Sequence, residues 1–304
     1  MQKQREPDDT KKKTFSFYDE MIKGETKRFV PTKSRFLKTD HISINPLEAR
    51  HILKFYNKKN RKPSPVVVTK YAKDMENDNW MFNGQPLTFS QEGDLMDGQH
   101  RLLALIKSNK TLNFCVHYGL KSESFVTIDN GKIRTNADVV GLEGYKDSAV
   151  LSSLVRSIIA YESSGKYDAK TCNLEGINQI TKSEILNYLS ESPEIVDYVG
   201  RYRKSMVVSS HVAAFCYWLL SSVNQEKAEE YLDQVFMGYE LRPNTIEQYL
   251  NNKLQRNKVS PHNKMTKTAI IANVVLGWKR FTGVSKSNSL QISWDARNGI
   301  PKPY

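Results

Sequence analysis

Residues 89–110 read FSQEGDLMDGQHRLLALIKSNK. The preceding QPLTFS alternates like a short strand, QEGD reads as a turn, and Leu95 and Met96 give a brief second extended run. A helix is predicted from about Gln99 through Leu102, Leu103, Ala104, Leu105 and Ile106, and SNK stops it. Asp97, Gly98, Gln99, His100 and Arg101 therefore fall where an extended segment turns into a helix. A helix start offers unpaired N–H groups and partial positive charge, so anions bind there. Gly98 lets the chain turn, and His100 and Arg101 add charge-assisted hydrogen bonds. Asp97 beside them can orient His100, hold a divalent cation such as Mg, or take a proton from a substrate hydroxyl. The same five residues also suit a plain surface turn, with Asp97 capping the helix and Arg101 paired to a nearby acid.

Upstream, Pro46 opens a predicted helix with Leu47, Ile52, Leu53 and Tyr56 at helical spacing. NRKPSP is a loop with cationic neighbours just before it, and a second helix places Val68, Tyr71, Ala72 and Met75 on one side. Downstream, TLNFCVHYGL is strand-like. It is followed by VTIDNGKIRTNADV, which repeats the polar composition of the first cluster with Asp129, Gly131, Lys132, Arg134, Thr135 and Asp138. At one end of a sheet the two clusters would make a single phosphate-binding site, with Asp97 or Asp129 as metal ligand. The local alternative is a tight turn followed by a helix capped by Thr135, with Asp138 in its first turn.

From residue 149 onward nearly every segment reads as amphipathic helix. The chain has 304 residues and a net charge of +12. The last 54 residues hold ten Lys/Arg and one acid, an electrostatic footprint of a nucleic-acid partner or, more plainly, a solvated basic face. Lys253, Arg256, Lys258, Lys264, Lys267, Lys279 and Arg280 are the candidate contacts to DNA. The most apolar run, residues 212–220, is far shorter than a membrane span and aromatic enough for a buried helix. No membrane partner is expected. The N-terminus lacks a secretory apolar core, and Cys115, Cys172 and Cys216 are odd in number and widely spaced, so a cytoplasmic protein with reduced thiols is expected. No P-loop, GxGxxG, HExxH or GxSxG motif occurs, and the six histidines lack metal-ligand spacing.

DGQHR between strand and helix resembles the phosphate-binding turn of the ParB/sulfiredoxin superfamily. With TIDNGKIRTNADV, the stretch from about 40 to 145 resembles ParB-like proteins of phages and mobile elements. The resemblance implies a small mixed-sheet domain over 38–147; with the polar, charged composition of 1–37, read as a flexible basic arm, and the helical periodicity of 148–304, read as an all-helical domain, the chain is expected to be α+β. The resemblance also implies phosphate or nucleotide binding (ATP or CTP) through Gly98, Gln99, His100 and Arg101, joined by Lys132, Arg134 and Thr135. Gln99 stands where sulfiredoxins carry their nucleophilic Cys, which argues against sulfinic-acid reduction. Relatives with DGHHR are free-serine kinases, and DGQHR itself marks proteins associated with DNA phosphorothioation. Two functions are therefore expected to compete. One is a DNA-associated, nucleotide- or phosphate-binding protein. The other is a phosphoryl-transfer or phosphodiester-hydrolysing enzyme (kinase, NTPase or nuclease) with Asp97 and His100 as its catalytic residues.

Overall fold

KTDHISI forms a strand that periodicity alone does not reveal, β1 (Lys38–Ile44). Only Asp40, Ile42 and Ile44 turn inward, and with an acid among them the alternation is too weak to read from sequence. The computed structural model describes residues 31–127, 134–164, 167–168, 173–174, 176–205, 207–260, 264–286, 289–295, 297 and 299–304. Two compact units are present, Met1–Gly131 and Lys132–Tyr304; the division falls ahead of the boundary expected near residue 147. Among the described residues no helix is long and apolar enough to cross a membrane.

In the first unit, Asn45 ends β1 and starts α1 (Pro46–Phe55). Its side chain accepts from the N–H groups of Leu47 and Glu48, while Glu48 returns a bond to the Asn45 N–H, with Pro46 in the first turn. Then come α2 (Pro65–Glu76), β2 (Leu87–Ser90), β3 (Leu95–Asp97), α3 (Gln99–Ser108) and β4 (Leu112–Leu120). The sheet order is β1-β4-β2-β3, antiparallel at β1/β4 and β2/β3 and parallel at β2/β4. Ile42 stands opposite Phe114, and Leu87 opposite Val116. Both α1 and α2 pack on α3, whose Leu102 and Leu105 are fully buried. Each such side chain contributes roughly 1.5–3 kcal/mol by leaving water. Of the expected basic arm, residues 1–30 lie outside the described residues. Its end, at Ser34–Phe36, runs so close to Gly119 that a Cβ there would stand 2.2 Å from the Phe36 carbonyl oxygen.

The second unit contains α4 (Asn136–Leu142), α5 (Ser148–Ser163), β5 (Tyr167–Asp168), β6 (Asn173–Leu174), α6 (Lys182–Glu191), α7 (Ile195–Arg201), α8 (Ser210–Ser221), α9 (Gln225–Leu232), α10 (Ile246–Val259) and α11 (Lys267–Phe281). The chain is thus of mixed α+β class. The second unit is not wholly helical: β5 and β6 pair antiparallel, and the pairing delivers Leu174 into the helical core. The apolar run at 212–220 lies in α8, against which α5, α7, α9 and α11 all pack. A helix apolar on every side needs such surroundings. Cys115 and Cys216 are buried free thiols, and Cys172 lies outside the described residues.

His211 enters this unit in the first turn of α8. Its Nε2 is 2.9 Å from Ser157 Oγ, and its Nδ1 is buried with no hydrogen-bond partner among the described residues. Burial, and after it the charge of Lys267, push the imidazole from its ordinary 6.5 down to about 4. The unfolded chain therefore binds this proton near pH 6.5 and the folded chain only near 4. The stability contributed by neutral His211 is complete above 6.5 and is lost as pH falls through that window, by roughly 3 kcal/mol in all. In urea denaturation at a series of pH values, His211→Gln should show a shallower loss of stability between pH 6.5 and 4 than the parent chain. Equal slopes would show that His211 titrates alike in both states.

Candidate functional site

β3 ends at Asp97, the chain turns at Gly98 with φ 107°, and α3 begins at Gln99. This is the strand–turn–helix geometry expected of DGQHR. A Cβ on Gly98 would stand 2.3 Å from Leu87 Cδ2, so glycine serves both a left-handed backbone and close packing under β2. No side chain caps α3.

Arg101 lies in the first turn of α3, and its side chain is directed into the protein, with the residue 6% exposed. Its Nη1 donates to the Gln85 carbonyl at 2.5 Å. Its Nη2 donates to the Pro86 carbonyl at 2.7 Å and to Asp97 Oδ2 at 2.9 Å. Asp97 Oδ1 meanwhile accepts from the Gly98 N–H at 2.6 Å. The acid expected to serve chemistry thus has both oxygens engaged within the turn, although its side chain is 34% exposed.

Gln99 and His100 hold a different loop. Gln99 Nε2 donates to the Arg61 carbonyl at 2.9 Å, and Gln99 Oε1 accepts from Asn57 Nδ2 at 2.7 Å. Asn60 Nδ2 donates to both Asn57 Oδ1 and the Leu95 carbonyl, at 2.7 and 2.8 Å. His100 Nε2 accepts the Ser64 N–H at 3.0 Å, which requires Nε2 to be unprotonated. Asn57 and Asn60 are hydrogen-bonding partners of this turn that sequence reasoning missed. The signal was the pair of asparagines set among the cations of NKKNRKPSP.

The second cluster divides. Asp129, Gly131 and Lys132 lie outside the described residues, and Arg134 and Thr135 belong to the second unit. Thr135 caps α4: its Oγ1 accepts from the Asp138 N–H at 3.1 Å, and Asp138 Oδ2 accepts from the Thr135 N–H at 2.7 Å. The Arg134 carbonyl accepts from Lys182 Nζ at 2.6 Å. Among the described residues no group of three or more His, Cys, Asp or Glu gathers as a metal site.

The seven C-terminal cations also divide. Lys253 Nζ donates to Asn273 Oδ1 and to the Ile292 carbonyl, and Arg280 donates to the carbonyls of Ser289 and Gln291. Lys279 lies over the Tyr304 ring, 5.0 Å from its centre. These three hold the C-terminal tail against α10 and α11. Arg256, Lys258, Lys264 and Lys267 are exposed. The Met265 N–H donates to Asn257 Oδ1 at 2.6 Å, which draws the end of α10 to the residues before α11 and gathers those four cations at one end of the helix pair.

In comparisons with known proteins, no family model, curated protein or solved structure matches this chain.

Arg101→Met would strand two carbonyls and the Asp97 carboxylate, and is expected to cost about 3 kcal/mol in urea denaturation. Arg101→Lys should recover little of this, because one ammonium cannot reproduce the forked geometry. Undiminished stability in Arg101→Met would return Arg101 to the role of a cation that faces a ligand.

Proposed function

We propose that the protein is a DNA-associated, phosphate-binding protein of ParB-like type, whose helical unit contacts the DNA backbone. The observation that carries this reading is the gathering of Arg256, Lys258, Lys264 and Lys267 at the α10–α11 junction. They lie within a stretch, residues 248–294, that has no acidic residue at all. Exposed cations gathered at one place raise the local positive potential, and a polyanion that binds there gains by releasing its own counterions. The resemblance of DGQHR to phosphate-binding turns supports the same class of ligand. Phosphoryl transfer draws less support from the geometry, since Asp97 already accepts from Gly98 and Arg101, and His100 from Ser64. ATP or CTP would have to be held mainly by the uncapped start of α3, since Arg101 is committed to internal acceptors.

Binding of a labelled DNA duplex, followed by fluorescence anisotropy across a salt series, tests this reading. The variant carrying Arg256→Gln, Lys258→Gln, Lys264→Gln and Lys267→Gln should flatten the slope of log affinity against log salt by up to about 3–4. Lys253→Gln should instead lower stability, because it frees the tail. A slope unchanged in the fourfold variant would remove the junction as the DNA contact.

A further inference from the structure

The loop that Gln99 and His100 hold is itself strongly basic. Within residues 57–64, NKKNRKPS, the cations Lys58, Lys59, Arg61 and Lys62 are all exposed. Its backbone is tied inward at Arg61 by Gln99 and at Ser64 by His100, while the Asn57 and Asn60 side chains bond to Gln99, to each other and to the Leu95 carbonyl. Pro63 and Pro65 stiffen its end. The amides and the imidazole thus use up the loop's inward bonds and leave its charged side chains to solvent.

Those charges are only half balanced. Lys58 Nζ is 2.7 Å from Asp94 Oδ1, and Lys59 lies within electrostatic reach of Glu92, both acids on the turn between β2 and β3. Arg61 and Lys62 have no acidic partner among the described residues. Just before them Lys54 and Phe55 are also exposed, the ammonium 5.3 Å from the ring centre. Fixing like charges in a stiff loop is unfavourable in isolation and becomes favourable against a ligand whose negative charges also recur at fixed spacing. A nucleic-acid backbone is such a ligand, and cations interleaved with an exposed aromatic suit it. Fluid anionic lipid has no fixed spacing to match and is served as well by flexible basic segments.

We infer that residues 58–62 form a second nucleic-acid contact, in which Arg61 and Lys62 grip backbone phosphates and Gln99 and His100 act as positioning residues. The inference rests on the nucleic-acid reading given above for the class of ligand, but on none of the cations at the α10–α11 junction. DGQHR then acts on phosphate through the loop it holds, in addition to anything bound at its own turn.

The full-length chain is used with the same labelled duplex and salt series, and with vesicles containing anionic lipid as a second probe. Arg61→Gln/Lys62→Gln should keep the parent melting temperature, weaken duplex binding roughly tenfold at low salt and lower the salt slope by about 2. Gln99→Leu changes no charge, yet should lower the slope similarly. Added to the loop variant it should have little further effect, a non-additivity that general destabilisation would not produce. A parent-like slope in Arg61→Gln/Lys62→Gln overturns the inference, whatever becomes of Gln99→Leu. If the fourfold C-terminal variant lowers the slope in that same experiment, the proposed function survives alone. If only the loop variant lowers it, the loop stands and the junction falls. Loss of vesicle binding with duplex binding intact also overturns the inference, in favour of lipid. A parent chain that binds no duplex at any salt removes both.

Discussion

A buried guanidinium must be met by acceptors, and the sheet unit is organised around how Arg101 meets its own. One side chain in the first turn of α3 bonds to the carbonyls of Gln85 and Pro86, which lead into β2, and to Asp97, which ends β3. The entrance of one strand, the exit of its neighbour and the start of the helix are thereby fixed together. Leu102 and Leu105 follow on the same helix and bury themselves in the core. Gly98 completes the arrangement, because its backbone is left-handed and a Cβ there would push against the Leu87 side chain.

Seen this way, DGQHR is a two-sided clamp. Arg101 and Asp97 hold the approach to β2, and Gln99 and His100 hold the loop before α2. An apolar clip would spare the cost of desolvating amides, and a half-satisfied polar network would be worse than either. The polar solution makes sense here because the clamped loop carries its charges outward and offers few apolar side chains to bury. Its backbone carbonyls and N–H groups are what the protein can hold. Gln99 and His100 reach two of these directly, at Arg61 and Ser64.

How much of this was legible in the sequence depended on whether a signal was local. α1, α2 and α3 were readable because apolar spacing and the residues that stop each helix are local signals, with Pro46 and Pro65 opening the first two and Gly98 preceding the third. β1 escaped because only half its positions face the core and Asp40 is one of them. The turn at DGQHR was placed correctly, but the direction of its side chains was not readable. That Gln99 meets Asn57, or that Arg101 meets the carbonyl of Gln85, is a matter of tertiary distance with no sequence period. Thr135 behaved oppositely, since a capping box is contained in four residues and Asp138 completes it.

The cations carry the same lesson further. Charge counted along the chain locates the basic C-terminal region but cannot divide it, because a backbone carbonyl leaves no mark in composition. Arg280 and Arg256 are alike in sequence context, yet Arg280 is held by the carbonyls of the tail while Arg256 stands exposed in the last turn of α10. In the sheet unit Arg101 and Arg61 divide in the same way, one taking three internal acceptors and the other giving only its carbonyl to Gln99. What separates an internally bound from an exposed arginine is therefore the supply of unpaired acceptors within its reach. Where the fold provides carbonyls with no other partner, the guanidinium satisfies the protein. Where it provides none, the charge remains available to phosphate.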